Sequence, residues 1–339
     1  MAQFLLGMTL DGLGAVCADL GMKPFVARQL AGWLYKQRVG SIEEMTNISK
    51  ENRALLASRY EVGRKKPAEV MTSRDGTRKY AFEAVAPGQY IETVMIPDRD
   101  RATLCVSSQA GCKMGCVFCM TGRQGFHGNL SSRDIISQFM DVEESEALTN
   151  AVFMGMGEPL DNWDNVKQAI EILTAEWGFG WSPKRITLST IGDMATLKDF
   201  LDNTQCHLAV SLHNPFHDER QKLMPVENRY PLKDVLELVR QYDFTGQRRV
   251  TFEYIMFAGV NDTKRHADAL ARLLRGLECR VNMIHFHKIP DSTLAGSSDA
   301  LIEAFAARLE AAGVTTTVRA SRGEDIMAAC GLLAGKNRN

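Results

Sequence analysis

The chain has 339 residues, 45% of them hydrophobic, with 40 basic against 41 acidic side chains, enough apolar material for one large unit and a smaller one. From a formal net charge of −1 no general attraction to phosphate can be inferred, so any nucleic-acid contact has to come from local patches. The start, MAQFLLGMTLDGLGAVCADL, lacks a basic leader region, and no apolar run is long enough to span a bilayer, which predicts a soluble, cytoplasmic protein with no membrane partner.

Between Pro24 and Arg38 the segment PFVARQLAGWLYKQR places Phe25, Leu30 and Leu34 at roughly helical spacing, with proline in a first-turn position. This predicts a small helical N-terminal unit over 1–69. Its continuation carries Lys50, Arg53, Arg59, Arg64, Lys65 and Lys66, a mildly basic face that is either simply solvated or in contact with nucleic acid. Over 70–98, TSRDGTRKYAFEAV and QYIETVMIP read as short strands around the turns Asp75-Gly76 and Pro87-Gly88, a connecting β element. From 99 to 335 the apolar runs ATLCVSS, NAVFMGMG, RITLST, HLAVSLH, VTFEYIMF and VNMIHF alternate with helical periodicity, and TTTVRA follows near 315–320. That alternation predicts an α/β protein with repeated βα units, a partial (βα)6 TIM-like barrel rather than a closed eight-stranded one. An open barrel admits a macromolecular substrate, and its chemistry belongs on the loops after the strands.

Eight cysteines without a secretory signal favour metal or redox roles over disulfides. Three of them form CxxxCxxC, Cys112, Cys116 and Cys119, just after ATLCVSS. Three thiolates can hold three irons of a 4Fe-4S cubane and leave the fourth iron open. Structural zinc needs a fourth protein ligand, and His127 lies eight residues past Cys119, outside conventional spacing. At these residues the sequence resembles the radical S-adenosylmethionine (SAM) superfamily. The resemblance implies that the open iron chelates SAM and reduces it to a 5′-deoxyadenosyl radical.

The phrases RATLCVSSQAGC, FMGMGEPL, RITLSTIG, SLHNPFHDERQKLMP and RGEDIMAACGLLAG together resemble a narrower group, the radical SAM RNA adenine methyltransferases of the RlmN/Cfr type. The likeness extends over most of the chain. It implies that Cys330 takes a methyl group from one SAM, which needs the thiolate form. A radical from a second SAM then converts that methyl group to a methylene that adds to the adenine ring. Cys105 releases the product by forming a disulfide with Cys330. Carbons C2 and C8 of adenine are poor nucleophiles, which is why a radical route is needed. The resemblance also implies SAM contacts from Gly157, Glu158, Ser189, Ser211, Leu212 and His213. His287 takes the place of an asparagine that relatives use, and Glu92 matches their proton acceptor. The implied substrates are 23S rRNA and tRNA, methylated at adenine C2, with C8 methylation as the alternative. The implied electron donor is a flavodoxin or ferredoxin.

Cys17, Cys206 and Cys279 read as buried small hydrophobes. Trp177, Phe179 and Trp181 read as core packing rather than a base-stacking platform. Two other classes remain open on the residues alone: a non-methylating radical SAM activase or rearrangement enzyme, which has no need of the Cys105 and Cys330 pair, and a metal-stabilised RNA-binding module without catalysis.

Overall fold

The computed structural model describes residues 3–335. Near the N-terminus β1 (Gln3–Phe4) pairs in parallel with β2 (Tyr60–Glu61), and the chain between them forms α1 (Leu10–Asp19), α2 (Phe25–Ala31) and α3 (Lys50–Ala57). Thr9 and Ser49 cap α1 and α3, each side chain accepting from an amide in the first turn, which satisfies donors that have no partner inside the helix. Pro24 stands at the cap of α2 rather than inside it, and after Ala31 the helix widens into a π turn over Gly32–Lys36. Leu30, Leu34 and Tyr35 are buried, whereas Phe25 faces solvent.

Arg64 and Lys65 of the expected basic face are structural. Arg64 donates to the carbonyls of Arg38 and Met140 and pairs with Asp141 at 2.7 Å, and Lys65 pairs with Asp134 at 2.7 Å. Asp134 and Asp141 belong to α5 (Ser132–Met140) and its C-cap, so both cations tie the N-terminal helices to the barrel. The aromatic trio lies at the same junction. Tyr35 meets Trp177 at 5.8 Å, Phe139 meets Trp181 at 5.8 Å, and Phe179 touches Tyr35, Phe139 and Trp181, packing that confirms the core reading.

The main sheet contains β3 (Glu69–Thr72), β4 (Arg78–Glu83), β5 (Tyr90–Asp98), β6 (Arg101–Cys105), β9 (Asn150–Phe153), β10 (Ile186–Thr190), β11 (His207–Ser211), β12 (Val250–Met256), β13 (Cys279–His285) and β14 (Thr315–Arg319), hydrogen-bonded in that order. The strands β3 to β6 form an antiparallel meander, and every pairing from β6 to β14 is parallel. The returns between parallel strands carry α5, then α6 (Trp163–Thr174), α7 (Met194–Asn203), α8 (His217–Leu223) with α9 (Leu232–Val239), α10 (Lys264–Leu274) and α11 (Asp299–Ala311). Six βα units and a seventh strand make the expected partial barrel. Alternation within β12 shows why: Phe252, Tyr254 and Met256 join the main hydrophobic cluster with the helices, while Glu253 and Ile255 face the barrel interior. A hairpin of β7 (Gln109–Gly111) and β8 (Phe126–Asn129) leaves the sheet after β6 and encloses the short α4 (Met120–Arg123) with the cysteine loop. Among the described residues no helix is long and apolar enough to cross a membrane.

The Tyr35 hydroxyl donates to Met8 O at 2.6 Å and accepts from Gly7 N at 3.1 Å, in a ring environment only 1% exposed. Tyr35→Phe leaves both backbone groups unpaired, an expected loss of about 1–3 kcal/mol, read as a lower urea midpoint with an unchanged slope.

Candidate active site

The C-terminal ends of β9, β10, β11 and β12 open onto one cavity with the cysteine loop on its other wall. Its lining includes Cys112, Cys116, Cys119, Gly157, Glu158, Ser189, Ser211, His213, Glu253 and Cys330. The loop is fixed by its backbone: Cys112 N donates to Gly125 O at 2.8 Å, Val117 N to Leu223 O at 3.0 Å, and Cys119 N to Cys116 O at 3.2 Å. Gly111 is obligatory there, because its φ is +71° and a Cβ would lie 1.9 Å from Gly125 O. Behind the three cysteines pack Met114, Phe118, Leu223, Met224, Phe257 and Ile284. Burial pushes the Cys112 thiol up to about 12 and the Cys116 thiol well above its ordinary value, each raised further by neighbouring thiols. A cation is needed to hold these groups as thiolates together. All three cysteines line the one cavity.

Glu158 is 6% exposed. Its carboxylate accepts from Thr190 Oγ1 at 2.6 Å, Ile191 N at 3.2 Å and Leu160 N at 3.3 Å. Burial, helped by the charge of Asp161, still pushes its pKa up to about 7 against those donors. The turn that presents it depends on Gly157, at φ +97°, where a Cβ would meet Gln109 Cβ at 2.5 Å. Gln109 in turn accepts from Glu158 N at 2.9 Å and donates to Asn129 and Asp161. His213, also at positive φ (+54°), accepts at Nδ1 from Ile255 N at 3.1 Å. That bond places the ring proton on Nε2, and burial with the nearby Arg220 guanidinium lowers the pKa to about 3, so the imidazole is neutral. An iron–sulfur cluster and a ligand with an ammonium group fit this donor set: three thiols and a buried carboxylate whose pKa is raised, on the lining of one cavity.

The radical SAM superfamily model matches residues 106–271, and the model for the ribosomal RNA large subunit methyltransferase N-terminal domain matches residues 4–62. A Porphyromonas gingivalis protein named "Probable dual-specificity RNA methyltransferase RlmN" is 56% identical over 330 residues, 97% of this chain and 96% of its own. A Parabacteroides distasonis protein of the same name is 54% identical with the same coverage. The chain belongs to the RlmN-type radical SAM RNA methyltransferases. The crystal structure of a radical SAM methyltransferase from Sphaerobacter thermophilus superposes with a TM-score of 0.90 at 39% identity, covering 98% of this chain and 99% of that one.

For an RlmN-type chain the placement of the remaining expected residues is informative. Cys105 ends β6 and is buried, and its thiol, pushed up to about 12 by burial, feels the charge of Cys330. Cys330 is exposed and lines the cavity; desolvation raises its thiol pKa and Arg319 opposes the rise. All eight cysteines are free, so the expected disulfide is not a feature of this structure. Leu212 is buried in the main core and outside the lining. His287 also lies outside it, with its nitrogens toward Ser321 at 3.2 Å and Glu324 at 3.3 Å. Glu92 is 6% exposed and outside the lining, its oxygens held by Lys79 Nζ at 3.0 Å and Ala334 N at 2.8 Å.

Two residues of the site escape sequence reasoning. Arg220, fully buried, donates to Leu212 O at 2.8 Å and Ser211 O at 2.7 Å, pairs with buried Glu227, and acts electrostatically on Cys116. Glu253, 3% exposed, accepts from Asn282 and Thr251. A charged side chain, whether in a helix like Arg220 or in a strand like Glu253, reads as solvated until its neighbours are known. Because its pKa is raised, Cys330 is less ionised at a given pH than an ordinary thiol. In metal-free protein its alkylation, mapped by peptide mass spectrometry, is expected to lag that of a free thiol at pH 8 and gain as pH rises. Arg319→Gln should slow it further, since the charge favouring the thiolate is gone.

Proposed function

We propose that this enzyme methylates C2 of adenosine in 23S rRNA and in tRNA, with Cys330 as the methyl carrier and two SAM molecules used per product. The observation that carries the reading is that Cys330, from the far end of the chain, lines the same cavity as Cys112, Cys116 and Cys119, with Cys105 in its electrostatic field. A non-methylating radical SAM enzyme has no use for that second pair. The full-length relatives are named dual-specificity RNA methyltransferases, which supports a reading with two classes of RNA substrate.

In this reading Cys112, Cys116 and Cys119 hold a 4Fe-4S cluster that, with SAM bound and an electron from a flavodoxin or ferredoxin, supplies the radical. Gly157 and Glu158 receive the SAM amino group, whose positive charge offsets the burial of the carboxylate. Ser189, Ser211 and His213 offer hydroxyl and Nε2 donors at successive strand ends, with Leu212 holding the backbone between the last two. His287 contributes only if the segment that bonds it shifts. The Cys330 thiolate takes the methyl group, and Cys105 attacks Cys330 sulfur to release the product as the disulfide forms. Glu92 accepts the proton from the ring carbon once Ala334 lets go of it.

Alanine at Cys112, Cys116 or Cys119 is expected to abolish iron content and product with little effect on the fold. Cys330→Ala should keep iron but carry no methyl group. For Cys105→Ala, a covalent protein–RNA species mapping to Cys330 is expected, seen as a nuclease-sensitive shift on a denaturing gel and missing in the double variant. No adduct despite intact iron and methylated Cys330 would refute the release role of Cys105. Nucleoside mass spectrometry of rRNA and tRNA, with and without the gene, decides the position: 2-methyladenosine is expected, and 8-methyladenosine alone overturns C2.

A further inference from the structure

The loop that carries Cys330 is tied at both ends, and the ties are specific. Upstream, two turns exchange acceptors: Asp325 accepts from Ser73 Oγ at 2.5 Å and from Arg74 N at 3.2 Å, while Asp75 accepts from Gly323 N at 3.0 Å. Gly323 is pressed against Thr77 so closely that a Cβ would lie 2.9 Å from Thr77 Cγ2. Lys79 Nζ reaches Met327 O at 3.4 Å, and Met327 is held at a left-handed φ of +54°, a conformation that a non-glycine residue keeps only under outside restraint. Downstream, Met120 N donates to Gly331 O at 2.8 Å and Thr121 Oγ1 to Leu333 O at 2.7 Å, both directly after the cluster ligand Cys119. Ala334 N then donates to Glu92, the partner of Lys79.

We propose that the β3–β4 turn is a clasp for the Cys330 loop, with Asp325, Asp75, Ser73 and Lys79 as positioning residues that set where the thiol stands in the cavity. This rests on the reading of Cys330 as methyl carrier. Between Gly323 and Ala334 the chain has little regular structure, one 3-10 turn over Glu324–Ile326, so its position depends on the ties at its ends. The upstream ties come from an element outside the parallel barrel, which gives the antiparallel meander a task beyond covering the sheet edge. Lys79 serves both ends, touching Met327 O and pairing with Glu92. Glu92 therefore bears on the loop before any proton transfer.

The test is Asp325→Ala in the full chain. Asp325 is exposed, so the fold survives its loss. Two readings are taken side by side: amide hydrogen exchange over 323–334 and the rate at which Cys330 acquires a methyl group in cluster-loaded protein given SAM without RNA. Losing two hydrogen bonds is expected to raise exchange and slow methylation by about tenfold or more, with iron content and SAM affinity unchanged. Asp325→Asn, which keeps one carbonyl acceptor for Ser73, should fall between. Unchanged exchange shows that the turn does not hold the loop, and raised exchange with a normal methylation rate shows that the hold does not position the thiol; either overturns the proposal. A wild-type protein that never methylates Cys330 defeats the methyl-carrier reading instead, and the exchange comparison still decides whether the clasp exists.

Discussion

Everything in the site depends on the sheet being curved. Cys105 ends β6 and Cys330 follows β14, the two opposite edges of the parallel strands. In a flat sheet of seven strands spaced about 4.8 Å apart these edges would stand roughly 29 Å from each other. Cys105 nevertheless lies within the electrostatic reach of Cys330, because parallel strands twist and coil towards a barrel and the C-terminal segment returns across its gap. The approach of the two cysteines is thus a consequence of that curvature and of where the C-terminal segment returns.

Charge is handled inside the cavity by burying each group against a specific partner or leaving it ready for one. Arg220 sinks its guanidinium among two carbonyls and Glu227. A buried pair of this kind adds little net stability, but removing one member would strand the other at a cost of about 3–5 kcal/mol. It gives the strand end at Ser211–His213 a rigid backbone and sets a positive charge beside Cys116. Glu158 is the opposite case: three donors hold it, yet its pKa stays raised. The neutral His213, held by a main-chain amide, keeps another positive charge away from Arg220.

The N-terminal helices are joined to the barrel by Arg64 and Lys65, which pair with α5 and its cap, and by Tyr35, which packs on Trp177 and Phe179 after α6. The meander acts more directly. Its strands extend the barrel sheet, and its first turn and Glu92 reach the segment that bears Cys330. Gly128 shows how tightly the meander and the cysteine hairpin fit, since a Cβ there would lie 2.5 Å from Val85.

Much of this was legible along the chain. The run of βα units, the CxxxCxxC loop and the MGMGEP turn are local patterns, and local patterns follow from strand alternation, helix periodicity and the few residues that tolerate positive φ. Cys105 and Cys330 could be singled out by resemblance, but nothing in their spacing places them together, because contact between residues 225 positions apart is decided by how the sheet closes. The same holds for Arg220 and Glu253, ordinary charges in sequence whose burial comes from packing. It holds too for Arg64 and Lys65, read as a solvated or nucleic-acid face and found holding α5. Lys79 and Asp325 make the point most plainly: each is an unremarkable polar residue until the fold lays the first hairpin of the sheet against the last loop of the chain.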